Sequence, residues 1–117
     1  MQDLKTRHKS FAIAVGMLIQ QLPKNTINVA YANQLIRSSS SPGTNYRAAL
    51  RGKSSPDFIN KLKIVEEELD ESIYFLELLL HFNENFKNQL DGLIREASEL
   101  LAITVSSIRT TRNKSNK

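Results

Sequence analysis

Arg47 and Arg51 stand four residues apart with Tyr46 beside the first, a spacing that puts both guanidinium groups on one face of a helix. An aromatic ring next to arginines is a pattern that grips phosphate and stacks a base, although a tyrosine there also suits a helix core. Lys53 follows closely. The surrounding segment RSSSSPGTNYR, Arg37 to Arg47, combines small residues, a glycine and flanking arginines in the manner of a phosphate-binding loop. It lacks the G-K-[ST] ending that sets a lysine on the β- and γ-phosphates, and no strand leads into it. The serines read instead as a site of tight helix packing.

The two histidines, His8 and His81, offer little to a metal. A dinuclear site in a helical bundle draws on two Glu-x-x-His pairs plus further carboxylates. Neither histidine has a glutamate three residues before it, and Glu77 precedes His81 by four. The acidic run Glu66, Glu67, Glu68, Asp70 and Glu71 holds nearly consecutive helical positions, which splay the carboxylates around the outside and do not converge on an ion. With no cysteine in the chain there is no disulfide, thiolate nucleophile or Cys-based zinc site. Asn113-Lys114-Ser115 matches a glycosylation sequon but has no export signal to accompany it. No catalytic residue, metal or cofactor is expected, and the chain reads as a non-enzyme.

The charges are segregated along the chain. Residues 1–55 carry eight Lys/Arg against Asp3 alone, residues 56–105 carry four bases against eleven acids, and residues 106–117 carry four bases and no acid. Such blocks make either a polyanion-binding face or complementary faces that meet each other. In the first case the phosphate contacts are Lys5, Arg7, Lys9, Arg37, Arg47, Arg51, Lys53, Arg109, Arg112 and Lys114.

The elements that must position these residues follow from hydrophobic spacing. Leu4, His8, Phe11, Val15, Leu18 and Leu22 recur at alternating intervals of four and three, one stripe of a helix, and Pro23 ends it. A second segment runs from Thr26 to about Gly52. Proline lacks a backbone donor and crowds the preceding turn, so this segment is expected to be one long helix kinked near Pro42. Ser55 is expected to cap a third helix, with Pro56 and Asp57 suited to its first turn. Its stripe is Phe58, Leu62, Val65, Leu69, Ser72, Leu76 and Leu79. The last helix, from about Glu84 to Thr110, has the stripe Phe86, Leu90, Leu93, Ala97, Leu100 and Thr104. A second line of Ile94, Leu101, Val105 and Ile108 lies beside it. A bundle core needs only about a third of each helix surface, so this surplus line is expected to bury against another copy of the chain.

Four amphipathic helices joined by short loops predict an all-α, antiparallel up-down-up-down four-helix bundle. The 117 residues fit one domain, with a core over residues 1–110 and a basic, flexible tail over 111–117. The N-terminal apolar run is too short to span a bilayer and its polar residues recur at helical spacing, so no membrane partner and a cytoplasmic location are expected.

Three stretches match one family, LIRSSSSPGTNYRAALRGKS (Leu35 to Ser54), SPDFINKLKIVEEELDESIYFLELL (Ser55 to Leu79) and REASELLAI (Arg95 to Ile103), the first two being specific and not generic coiled-coil sequence, with F-A-I-A at Phe11 to Ala14 fitting too. Together they resemble the bacterial four-helix bundle proteins encoded by intervening sequences within 23S rRNA genes, a family also filed as ribosomal. The resemblance covers nearly the whole chain. It implies an up-down-up-down bundle assembled as a homopentameric ring. A similar family member is the accessory protein of diversity-generating retroelements, which engages a reverse transcriptase and nucleic acid. The resemblance brings no catalytic residues. Family members carry an acid after N-Y-R where this chain has Ala48, which leaves Arg47 freer to bind elsewhere if that acid makes a salt bridge. Two functions emerge: a homo-oligomer that binds RNA or DNA backbone through a basic face, or a structural or protein-adaptor oligomer whose segregated charges form its subunit interfaces.

Overall fold

The computed structural model describes residues 3–115. Four helices make up most of it: α1 (Leu4–Gln21), α2 (Thr26–Leu50), α3 (Ser55–Phe82) and α4 (Lys87–Ser115), with a single 3-10 turn at Glu84–Phe86 before the last. Among the described residues there is no strand.

Each of the first three helices starts on a side-chain cap, because the first backbone N–H groups of a helix have no partner within it. The Asp3 carboxylate accepts from the Thr6 N–H at 2.8 Å, the Asn25 side chain from the Asn28 N–H at 2.9 Å, and the Ser54 hydroxyl from the Asp57 N–H at 3.2 Å. The cap of α3 is thus Ser54 and not the expected Ser55, which joins Pro56 in the first turn. α2 passes through Pro42 without a break. Around the proline, side chains supply bonds to the backbone: Ser38 and Ser40 donate to the carbonyls of Leu35 and Ile36, and Asn45 donates to that of Ser41. α4 continues to Ser115, so residues 111–115 of the expected tail are helical, while 116 and 117 lie outside the described residues.

Contacts between the helices give the direction of each. Asn28, at the start of α2, meets Asn83, just past the end of α3. His8, early in α1, lies against Tyr46, late in α2, with ring centroids 5.1 Å apart. Arg7 meets Glu96 while Gln21 meets Gln89, so α1 and α4 are also antiparallel. Every helix packs on its chain neighbours and α1 closes on α4. The result is the expected up-down-up-down bundle, a rod of 52 × 23 × 20 Å.

The stripes read from spacing form the core. Phe11, Val15, Leu18, Leu22, Leu62, Val65, Leu69, Leu76, Leu79, Leu90, Ala97 and Leu100 are buried together with Leu35. Each such Leu contributes about 1.5–3 kcal/mol of apolar burial. Two polar pairs sit within this core and are fully satisfied. Asn28 and Asn83 exchange amide bonds at 2.9 and 2.8 Å, and Asn83 also donates to the Leu79 carbonyl. The Ser72 and Ser38 hydroxyls lie 3.0 Å apart. Because both pairs join α2 to α3, a slip of one helix along the other would leave buried polar groups unpaired, and the register is fixed by that cost.

Candidate nucleic-acid interface

The bundle topology gathers what the chain scatters. The start of α1, the end of α2, the start of α3 and the end of α4 share one end of the rod. Lys5, Lys9, Arg47, Arg51, Lys53, Arg109, Arg112 and Lys114 all lie there, all exposed, and none of them forms a salt bridge among the described residues. Lys61 and Lys63, exposed in the first turns of α3, join the same end. In the sequence they sit within the acidic block, and only the antiparallel packing places the start of α3 at the basic end.

Two of the ten expected phosphate contacts are committed elsewhere. Arg7 points across to α4, where its Nε and Nη2 donate to the Glu96 carboxylate at 3.2 and 2.6 Å, and its Nη1 stands 3.3 Å from Glu99. The Glu96 carboxylate holds the Arg7 charge even more firmly than usual. Arg37 lies midway along the rod and bridges Glu68, at 3.0 Å, and Glu71 on α3. Both arginines therefore neutralise acids of their own chain. Two members of the acidic run are thereby accounted for, and among the described residues no group of three acids or histidines is placed to hold a metal.

A groove of about 460 Å³ opens between α1 and α2 at the basic end. Small side chains make it concave: Ala12 on α1, and Ser40, Gly43 and Thr44 on α2. Lys5, Lys9 and Arg47 rim it. Lys5 and Lys9 are one turn apart and repel each other, and Arg47 adds a third positive charge from the facing helix. No carboxylate lines the groove. Asp3, the only acid of residues 1–55, spends its side chain capping α1, and the Thr6 N–H it accepts holds its pKa below the ordinary value.

His8 forms part of the groove wall, is only 2% exposed, and its buried Nδ1 has no hydrogen-bond partner. Burial lowers its pKa from 6.5 to about 4, with neighbouring Arg7 pushing the same way and Glu96 opposing, so the ring is neutral at pH 7. Tyr46 is half-buried with its ring turned onto His8, and burial raises its hydroxyl pKa. Tyr46 thus acts as packing for α1 and does not offer the open stacking platform that its place beside Arg47 suggested. Arg47 itself is exposed and makes no salt bridge among the described residues. A second, smaller groove of about 250 Å³ holds Arg109 and Arg112 with Glu66, which offsets part of their charge.

The outer line on α4, expected to bury against another copy, packs largely within its own chain. Ile108 is 4% exposed within its own subunit, because it lies one turn beyond Thr104 and so continues the core stripe as well as the outer line. Ile94 and Leu101 pack on the same core, and Val105 is half-buried. The large exposed apolar side chains lie elsewhere: Ile13 and Met17 on α1, Ile27, Val29, Ile36 and Leu50 on α2, and Ile64, Tyr74 and Phe82 on α3. No described helix is long and apolar enough to cross a membrane.

Comparisons with known proteins agree with this architecture. The family described as 23S rRNA-intervening sequence protein matches residues 2–106. Among solved structures, a protein of unknown function from the S23 ribosomal protein family of Bacteroides thetaiotaomicron VPI-5482 is similar, with 28% sequence identity and a TM-score of 0.80 over 91% of this chain and 98% of that one. No curated protein matches the chain.

Proposed function

We propose, for a chain that belongs to the 23S rRNA-intervening sequence protein family, a non-enzymatic homo-oligomer that binds the backbone phosphates of RNA or DNA through the basic end of its bundle. The observation that carries this reading is the convergence of Lys5, Lys9, Arg47, Arg51, Lys53, Arg109, Arg112 and Lys114 at one end without a salt bridge to any described acid. Cations without salt-bridge partners repel one another, and a polyanion relieves that repulsion while releasing its own counterions. Contacts of this kind position a nucleic acid without reading its bases. Self-association would present several copies of the basic end at once and raise avidity. The experiment is fluorescence polarisation with labelled RNA and DNA across a salt series, comparing wild type with Arg47→Ala/Arg51→Ala.

A second reading, a structural or protein-adaptor oligomer, is favoured by two other observations. Arg7 and Arg37 already join the basic half of the chain to its acidic half. Exposed apolar side chains on α1 and α2, Ile13 and Met17 at 53% and 58% and Val29 and Ile36 at 47% and 45%, support burial against a further chain. A protein partner such as a reverse transcriptase falls under this reading. A chain that sediments as an oligomer yet binds no nucleic acid at low salt would favour it.

A further inference from the structure

We propose that the groove between α1 and α2 seats one terminal phosphomonoester, carried by a free nucleotide or by the end of a strand, with Lys5, Lys9 and Arg47 on the phosphate and Thr44 on the adjoining sugar. The proposal deepens the nucleic-acid reading and rests on it for the source of the phosphate. Shape is its first support. Two helices wall a groove of about 460 Å³ that opens to solvent on one side, a size within the range of about 300–1,000 Å³ of clefts that take small molecules.

Charge is the second. A phosphodiester carries one negative charge, and a terminal monoester carries close to two at neutral pH. Three cations from two helices, with no carboxylate lining the groove, suit the greater charge. Lysines serve as point charges for phosphate and the arginine fork can hold two of its oxygens.

Hydrogen bonding is the third. The Thr44 hydroxyl makes no hydrogen bond among the described residues, whereas the Ser40 hydroxyl is committed to the Ile36 carbonyl at 2.7 Å and the Thr6 side chain is taken up by the Asp3 carboxylate. Behind the groove wall, the buried Nδ1 of His8 has no partner among the described residues. A free hydroxyl beside three cations, with no carboxylate in the lining, suits a polar, anionic guest. This seat differs from a P-loop because its cations come from the faces of two helices and not from a strand-to-helix turn.

The test uses the full chain and single-stranded oligonucleotides labelled at the 3′ end, with either a phosphate or a hydroxyl at the 5′ end, in fluorescence polarisation. The phosphorylated strand is expected to bind at least tenfold tighter. Thr44→Leu, a good helix former at an exposed position, should bring that ratio close to one, and Arg47→Gln should lower it. Arg112→Gln, outside the groove, should weaken both strands and leave the ratio alone. Competition by adenosine monophosphate separates the sources: a displaced strand identifies the free nucleotide as a ligand, and failure to compete assigns the seat to strand ends. Equal affinity for the two strands in the wild type would overturn the groove while leaving the basic end intact. If no strand binds at low salt the nucleic-acid reading fails, and calorimetry with adenosine monophosphate then decides the groove alone: binding lost in Thr44→Leu upholds it, and no heat in the wild type overturns it.

Discussion

Arg7 on α1 and Glu96 on α4 share two hydrogen bonds, Nε to Oε2 at 3.2 Å and Nη2 to Oε1 at 2.6 Å, in the fork geometry that suits a guanidinium to a carboxylate. The pair is half-buried and closes the one seam of the bundle that joins non-consecutive helices. Arg7→Ala leaves Glu96 without its partner and is expected to cost about 1–3 kcal/mol. Arg7→Lys should recover only part, because an ammonium cannot make both bonds. Urea denaturation of the three proteins checks this, and an Arg7→Ala protein as stable as wild type would reassign Arg7 to the surface.

The reciprocal amide pair of Asn28 and Asn83 predicts a cost that falls on single substitutions. Asn83→Ala strands the Asn28 side chain in the core and should destabilise by about 1–3 kcal/mol. The denaturant midpoint should fall with an unchanged slope, since the surface exposed on unfolding stays the same.

Acid should weaken the fold through His8. In the unfolded chain this histidine titrates at 6.5, and in the folded protein at about 4. Between those values the unfolded chain holds a proton that the native state does not, so the stability is fully present above pH 6.5, is lost as pH falls, and levels off below pH 4. The loss is on the order of 3 kcal/mol. Thermal melts from pH 7 to pH 4 should show it in the wild type and show less in His8→Phe, and identical pH dependence in the two would contradict the account.

Gly43 predicts the opposite sign. A β-carbon placed there would stand 3.4 Å from the His8 Cβ, an ordinary contact, and Gly43 lies inside a helix. Gly43→Ala should therefore fit and stabilise by about 0.5–1 kcal/mol, the difference in helix propensity. A lowered melting temperature would mean that α1 and α2 are closer than described.

The core was legible because helical burial repeats every three to four residues. Phe11, Val15, Leu18 and Leu22, and Leu62, Val65 and Leu69, stand where their spacing put them. Charge was far less legible. Arg7 and Lys9 are two residues apart, about 200° around a helix, and nothing in their types says that one faces Glu96 while the other rims a groove. Ile108 satisfied two patterns at once, and only the packing chose the core over the outer line. The groove drew its lining from two helices some 35 residues apart in the chain, Lys5 to Ser40. It was invisible until antiparallel packing brought them together.

The most direct test of the basic end is its salt dependence. Fluorescence polarisation with labelled single-stranded RNA and DNA of several sequences, from low to physiological salt, should give an affinity that falls linearly on a log–log plot by about 0.7 per phosphate contacted. Arg47→Ala/Arg51→Ala should weaken every sequence about equally, because phosphate contacts carry no sequence information. Absence of binding at low salt, or affinity unchanged in the double variant while it sediments like the wild type, would contradict the assignment of this end of the bundle to nucleic acid.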